Sequence, residues 1–165
     1  GLELKGASEL PPWEASRAAS REPMKGKLFT IGYEGRDQET YLGLLQEAGV
    51  TLLADVRSNP MSRKKGFSKK ALAAGSEEVG IRYEHLPELG IPSAKRKGVK
   101  TRAQFDELFA EYERDWLPQQ GEVLAKLRGW LEEGEKVALT CYEHDASHCH
   151  RQFVVKALGV DATHL

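Results

Sequence analysis

The sequence predicts an α/β fold with a mainly parallel sheet of about four to five strands, flanked by helices on both faces. Segments with strand-like apolar patterns alternate with segments whose apolar residues recur every three or four positions. The run VTLLADVR (50–57) is apolar almost throughout, as is typical of a strand buried on both faces of a parallel sheet. EKVALTCY (135–142), near the end of the chain, is a second mostly apolar run of this kind.

The first half of the chain supplies three predicted strands. KLFTIGY (27–33) is the first, and a helix over 37–49 follows it, with glycine at the C-cap position. VTLLADVR (50–57) is the second strand. A short helix over 68–79, capped by its serine, leads to the third strand, GIRYEHL (80–86).

The second half is mostly helical. A long amphipathic helix opens at Thr101 and ends before Pro118, and a second helix covers 119–133. The strand over 135–142 then leads into the last helix, HCHRQFVVKALG (148–159), which glycine closes.

Composition favours one cytoplasmic domain. Residues 1–26 contain three prolines and no hydrophobic period, so we expect a flexible extension followed by a single domain over 27–165. No apolar run reaches the roughly 18 residues of a membrane span, and the N-terminus lacks a signal-peptide pattern. We therefore predict no membrane partner, and two cysteines that stay thiols unless they serve redox or metal chemistry.

Charge is nearly balanced overall but unevenly distributed. The formal net charge is −1, yet the stretch 57–70 has six basic residues and no acidic one, and a second basic cluster covers 95–102. Such runs are either solvated loops or the positive rim of a site for an anionic small molecule or nucleic acid.

Residues able to do chemistry follow three predicted strands, in the segments 33–36, 55–58 and 141–151. Ligands of open parallel sheets bind beyond the carboxyl ends of the strands, so we expect one pocket there. Asp55 and Arg57 lie on the same face of their strand because side chains alternate with period two. An unpaired carboxylate in an apolar strand is costly, so Asp55 needs a partner, and it could equally cap a neighbouring loop.

The stretch CYEHDASHCHR (141–151) is the third of these segments. The expected first turn of its helix would attract an anion, with Arg151 adding a guanidinium group. Cys141 or Cys149 is a candidate nucleophile, since a helix start lowers a thiol pKa, although buried cysteines often only pack. Glu143, His150 and Asp55 are candidate proton carriers.

Neither a metal nor a cofactor is predicted. The two cysteines are eight positions apart, without the short paired spacing of structural zinc sites. Adjacent Cys149 and His150 on a helix would also diverge by about 100 degrees, too far to share one ion easily.

Several ordered motifs resemble the domain of unknown function 488 (DUF488) family. These are TIGYEG (30–35), DVRSNPMSR (55–63) with a following Phe67, YEHLPELG (83–90) and CYE…CHR (141–151), so the likeness covers about residues 27 to 159. One departure is Ile91, where the family often has glycine. The resemblance implies a small α/β domain with no assigned activity. The family's recurring polar positions correspond here to Tyr33, Asp55, Arg57, Ser58, Arg63, Cys141, Glu143, Cys149, His150 and Arg151.

A more distant likeness is to rhodanese-type sulfurtransferases, which LLADVRS and VALTC resemble. Arg151 lies ten residues after Cys141, whereas the rhodanese loop brings its arginine within a few residues of the cysteine. Three functions stay open. They are an enzyme acting on a phosphate-bearing nucleotide or nucleic-acid substrate through Arg57 and Arg151, a non-catalytic nucleic-acid-binding module, and a rhodanese-like thiol or sulfur carrier.

Overall fold

The sheet confirms the α/β prediction. The structure is a computed structural model that describes residues 25–143, 145 and 149–165. Five parallel strands lie in the order β3-β2-β4-β1-β5. They are β1 (Lys27–Gly32), β2 (Leu52–Asp55), β3 (Arg82–His85), β4 (Lys136–Cys141) and β5 (Ala162–His164).

Six α-helices in the described ranges connect these strands. They are α1 (Gln38–Glu47), α2 (Lys69–Glu78), α3 (Ser93–Arg96), α4 (Arg102–Glu111), α5 (Gly121–Glu132) and α6 (Arg151–Leu158). Of the extension predicted over residues 1–26, residues 1–24 lie outside the described residues. Within the described ranges, no helix is long and apolar enough to cross a membrane.

Short local signals set several helix ends. Asp37 and Ser68 each accept a hydrogen bond from the backbone N–H three residues on, at the starts of α1 and α2. Thr101 and Gln104 form a reciprocal capping box at the start of α4. Gly159 ends α6 in the left-handed conformation, with φ of 70°. These four helix ends match the sequence predictions.

The long helix predicted from Thr101 is interrupted. After α4 the chain widens into a π turn over Tyr112–Trp116 and then tightens into a 3₁₀ turn over Leu117–Gln119. Pro118 lies in this second turn, where its ring and missing N–H prevent a regular α-helix. The hydroxyl of Tyr112 donates to the carbonyl of Leu89, 2.6 Å away, and ties this region to the segment after β3.

Helices cover both faces of the sheet, as predicted. The first face is covered by α1 and α2, which pack there through buried Leu45 and Leu72. The other face is covered by α4, α5 and α6, through Leu108, Leu127 and Val154. β4 lies between β1 and β2, and the chain after β4 leads to α6 on one face, whereas the chain after β1 and after β2 leads to α1 and α2 on the other. A crevice therefore opens at the carboxyl end of β4.

Candidate functional site

The crevice beyond β4 brings six of the predicted site residues together. It is a cleft with a volume of about 140 Å³. The predicted residues that line it are Tyr33, Arg57, Ser58, Cys141, Glu143 and His150. A larger cavity of about 220 Å³ lies beside α4 and the π turn, and none of the predicted site residues lines it. The chemistry-bearing side chains therefore favour the smaller cleft.

An ion pair between Asp55 and Arg57 forms the wall beside β2. Nε of Arg57 donates to Oδ1 of Asp55 at 2.8 Å, and Nη2 donates to Oδ2 at 2.7 Å, in the two-point geometry that suits arginine and carboxylate. Nη1 donates to the carbonyl oxygen of Phe67 at 2.6 Å. Asp55 is fully buried and Arg57 is 8% exposed. Asp55 thus has the partner that the sequence required.

Two residues of β3 supply further hydrogen-bond partners for Asp55 and Arg57. The hydroxyl of Tyr83 donates to Oδ2 of Asp55, and Nε2 of His85 contacts the carbonyl oxygen of Arg57 at 2.8 Å. Burial alone would lower the pKa of Arg57, but its hydrogen bonds to Asp55 and the charge of that carboxylate raise it above its ordinary value. Burial and the charge of Asp55 also raise the pKa of Tyr83. Arg57 and Tyr83 therefore stay protonated at neutral pH.

The aromatic ring of Tyr33 lies over this ion pair. It stacks on the ring of Phe67 with centroids 4.6 Å apart, and the guanidinium carbon of Arg57 lies 5.3 Å from its centroid. Phe67 follows the DVRSNPMSR stretch in the sequence motif, and in the structure it contacts two residues of the site. Its ring packs under Tyr33 while its carbonyl holds Arg57.

The wall beside β4 brings both cysteines together. Cys141, the last residue of β4, and Cys149, just before α6, are joined as a disulfide, with Cα atoms 7.7 Å apart. Both are buried. The Sγ atom of Cys141 also lies 3.2 Å from Oε2 of Glu143. The prediction that Cys141 and Glu143 face the same side of the strand end agrees with this contact.

His150 lies beside the sulfur atoms. Its Nε2 contacts the carbonyl oxygen of Val56 at 2.9 Å, and its Nδ1 lies 3.6 Å from Sγ of Cys149. A carbonyl oxygen only accepts, so Nε2 carries the proton in this contact and Nδ1 presents its lone pair. Burial lowers the pKa of His150 to about 4, which leaves the imidazole neutral at pH 7.

The sequence argument that Cys149 and His150 diverge is wrong. It assumed a helix from residue 148, whereas α6 begins at Arg151 and His150 is its N-cap residue. Cys149 and His150 thus lie in the turn before the helix, where adjacent side chains need not be 100 degrees apart. His148, predicted in the same first turn, lies outside the described residues.

Arg151 lies behind the cleft. It is fully buried, and its Nη2 donates to the carbonyl oxygen of Glu143 at 2.6 Å. Its Nε and Nη1 have no hydrogen-bond partner in the part of the chain that the structure describes. Burial lowers the pKa of Arg151 to about 10, still well above neutral, so the guanidinium group keeps its charge. Arg151 holds the backbone at Glu143 rather than lining the cleft.

Arg63, the remaining predicted residue, is exposed.

Two functional candidates were missed by sequence reasoning. Arg96, at the end of α3, and Tyr142, directly after β4, both line the cleft. Arg96 belongs to the second basic cluster, so its charge was visible but its position was not. Tyr142 follows Cys141 and is 47% exposed. Tyr83 and His85 were also missed as partners of the β2 wall.

Comparison with known proteins agrees with the motif resemblance. No curated protein matches the sequence. The family described as "Domain of unknown function DUF488" matches residues 37–158, which include β2, the ion pair, both cysteines and the cleft-lining residues other than Tyr33. This match covers most of the chain, and the protein belongs to the DUF488 family.

Proposed function

We propose that the cleft binds a phosphate-bearing ligand of the nucleotide class and that the protein is an enzyme acting on it. The observation that carries this proposal is Arg96. Its side chain is 39% exposed, and its two polar contacts on the cleft wall are long. Nη2 lies 3.4 Å from Nδ1 of His150, and Nη1 lies 4.0 Å from Oε1 of Glu143. Arg96 can therefore turn toward a ligand and donate two hydrogen bonds to phosphate oxygens.

Charge in the cleft supports an anionic ligand. The charge of Arg57 is balanced by Asp55, and that of Arg96 is partly balanced by Glu143. Arg151 adds a buried positive charge behind the cleft. Its Nη2 donates to the neutral carbonyl oxygen of Glu143, and its charge adds to the positive potential in the cleft, offset in part by the carboxylates of Glu143 and Asp145.

Size and aromatic lining favour a nucleotide over a larger anion. A volume of about 140 Å³ is below the roughly 300–1,000 Å³ of pockets that enclose whole drug-sized molecules. The cleft suits a phosphate group, with the rest of the ligand on the rim. Tyr142 lies on that rim, and its ring packs edge-on against Tyr33 with centroids 5.3 Å apart. Its exposed face is a surface on which a base can stack.

Glu143 is the best placed proton carrier of the three considered from sequence. Both oxygens of Asp55 are engaged by Arg57, and Oδ2 also accepts from Tyr83. Nε2 of His150 is held by the carbonyl of Val56. Glu143 is 26% exposed and lines the cleft, so its carboxylate can reach a bound ligand or water.

Ligand binding tests this proposal. We expect adenosine, guanosine, cytidine or uridine 5′-monophosphate to bind in isothermal titration calorimetry more tightly than the matching nucleoside. Arg96→Gln should weaken that binding about 10- to 100-fold, because a hydrogen bond to a charged group contributes about 1.5–3 kcal/mol. Arg102→Gln is the matched control, since Arg102 pairs with Asp106 at 3.0 Å on exposed α4. Equal binding by both variants, or no binding of any probe, contradicts the proposal.

Turnover tests the enzymatic part. Glu143→Gln should bind the nucleotide within a few-fold of the wild type but release product from a phosphate ester of that nucleotide far more slowly. Binding without turnover by the wild type would leave a ligand-binding protein and would contradict the enzyme assignment.

The alternative is a non-catalytic nucleic-acid-binding module. Some residues of the two basic stretches, 57–70 and 95–102, are already paired. Lys95 contacts Glu111 at 2.6 Å, and Lys64 donates to the carbonyl of Tyr33 at 3.0 Å. If the alternative holds, binding of single- or double-stranded DNA or RNA weakens steeply with salt. Lys64→Ala and Lys97→Ala then each reduce the salt slope.

A further inference from the structure

Three ligand atoms preferred by transition metals meet at the end of β4. The Sγ atoms of Cys141 and Cys149 and a ring nitrogen of His150 all lie within 4.8 Å of one another. All three residues are at most 2% exposed. Thiolate sulfur and imidazole nitrogen are the usual ligands of zinc, which binds sulfur at about 2.3 Å and nitrogen at about 2.0–2.1 Å.

His150 is held in the orientation that a metal ligand needs. Its Nε2–H donates to the carbonyl oxygen of Val56 at 2.9 Å, which fixes the ring and directs the Nδ1 lone pair toward Cys149. Histidines that bind metals almost always have such a second hydrogen bond from the other ring nitrogen. Nδ1 also accepts a long contact from Arg96 at 3.4 Å, which an ion would replace. Arg96 is partly exposed and free to turn away.

The backbone separation of the cysteines also suits an ion between them. Their Cα atoms are 7.7 Å apart, whereas disulfides usually join Cα atoms about 4.4–6.8 Å apart. Once the pair is reduced, each sulfur can become a thiolate ligand. An ion and a disulfide are alternative states of the same two sulfur atoms.

A fourth coordination position faces the cleft. Cys141 and His150 both line the cleft, and Oε2 of Glu143 lies 3.2 Å from Sγ of Cys141. Three protein ligands with one open position are typical of catalytic rather than structural zinc sites. Water bound there would lie beside the Glu143 carboxylate.

We propose that Cys141, Cys149 and His150 of the reduced protein bind one Zn²⁺, with the fourth position open to the cleft. Binding converts two thiols to thiolates and releases two protons to solvent, so the ion and its sulfur ligands together are neutral. The site revises the expectation of a metal-free protein, which rested on the eight-residue spacing of the cysteines and on helical geometry that the turn before α6 does not have. A role for the ion in catalysis rests on the proposed function, whereas its binding does not.

Cobalt substitution tests the site without any assay of activity. The full-length chain is reduced, dialysed and kept anaerobic, and Co²⁺ is added stepwise while the absorption spectrum is recorded. We expect a cobalt–thiolate charge-transfer band and intense tetrahedral ligand-field bands that saturate at one equivalent and disappear when Zn²⁺ is added. Cys141→Ser, Cys149→Ser and His150→Asn should each abolish stoichiometric uptake, with circular dichroism confirming that the variants fold.

His85→Asn is the matched control. His85 also contacts a backbone carbonyl through Nε2, but it lies at the end of β3, outside the cluster. It should bind one equivalent of Co²⁺ like the wild type. Should a variant fail to fold, competition between wild-type protein and a chromophoric chelator for Zn²⁺ gives an independent measure of binding.

Two outcomes overturn the site. One is the absence of stoichiometric uptake by reduced protein whose two thiols are accessible to a thiol reagent. The other is a spectrum that His150→Asn leaves unchanged, which would mean that His150 is not a ligand. Nucleotide binding that persists without metal uptake defeats only the metal site. Metal uptake without binding of any nucleotide defeats only the proposed ligand.

Discussion

The two walls of the cleft differ in how completely their polar groups are paired. The β2 wall consists of Asp55, Arg57, Tyr83 and His85, and its ion pair is enclosed by hydrogen bonds from two strands and a loop. The β4 wall consists of Cys141, Glu143, Cys149 and His150, with Arg151 buried behind it. Its arginine has two donors without a partner among the described residues, and one of its imidazole nitrogens has only long contacts.

This difference separates structural from chemical roles. Fully paired buried charges are costly to disturb and have little capacity left for a ligand. Groups with unused lone pairs or donors can gain interactions when a ligand or ion arrives. We therefore assign the β2 wall mainly to holding the strand ends in place, and the β4 wall, with Arg96, to binding and chemistry.

Arg57→Met should give the largest effect. It leaves Asp55 buried without its cation, and losing one partner of a buried pair costs about 3–5 kcal/mol in the free energy of unfolding. Urea denaturation measures this cost. The double variant Asp55→Leu/Arg57→Met removes both charges and should be less destabilised than Arg57→Met alone. A cost below about 1 kcal/mol for the single variant, as for a surface pair, would mean that the β2 wall is not a structural ion pair.

Local sequence was sufficient to predict most of the fold. The caps at Asp37, Ser68 and Thr101 and the glycine after α6 are encoded within a few residues, so the helices that they bound were found. The alternation of side chains along a strand was enough to predict that Asp55 and Arg57 lie on the same side of β2. β5 was not predicted, because it has three residues at the sheet edge, is largely exposed and depends on pairing with distant β1.

The site was harder to predict because tertiary contacts decide it. Asp55 was expected to need a partner, but Tyr83 could be identified only once β3 was known to lie beside β2. The turn that brings Cys149 and His150 together is held by the carbonyl of Val56, 94 residues away. No spacing rule within the last motif contains that contact.

Gly90→Ala should give the next largest effect, because the backbone after β3 packs directly on the β2 wall. A Cβ at Gly90 would lie 2.1 Å from the backbone nitrogen of Ser58 and 2.8 Å from the carbonyl carbon of Arg57. The chain must shift to admit it, at a cost of about 1–3 kcal/mol. Gly129→Ala, on α5 with nothing within 4 Å of the added carbon, should instead stabilise the protein by up to about 1 kcal/mol. Thermal unfolding of the two variants measures the difference, and equal melting temperatures would contradict the close packing.

Arg151→Met should give the smallest effect, and it makes the same substitution as Arg57→Met on the opposite wall. Arg151 is as buried as Asp55, but its Nη2 donates to the neutral carbonyl oxygen of Glu143, so no buried carboxylate loses its partner when the charge is removed. Methionine fills a similar volume without unpaired donors, and replacing a poorly compensated buried charge by an apolar side chain is often neutral or stabilising. We expect the free energy of unfolding in urea to change by no more than about 1 kcal/mol, while nucleotide binding weakens as the positive potential behind the cleft is lost. A loss of stability matching that of Arg57→Met would show that Arg151 is as firmly paired as Arg57. The assignment of a structural wall beside β2 and a chemical wall beside β4 would then be wrong for Arg151.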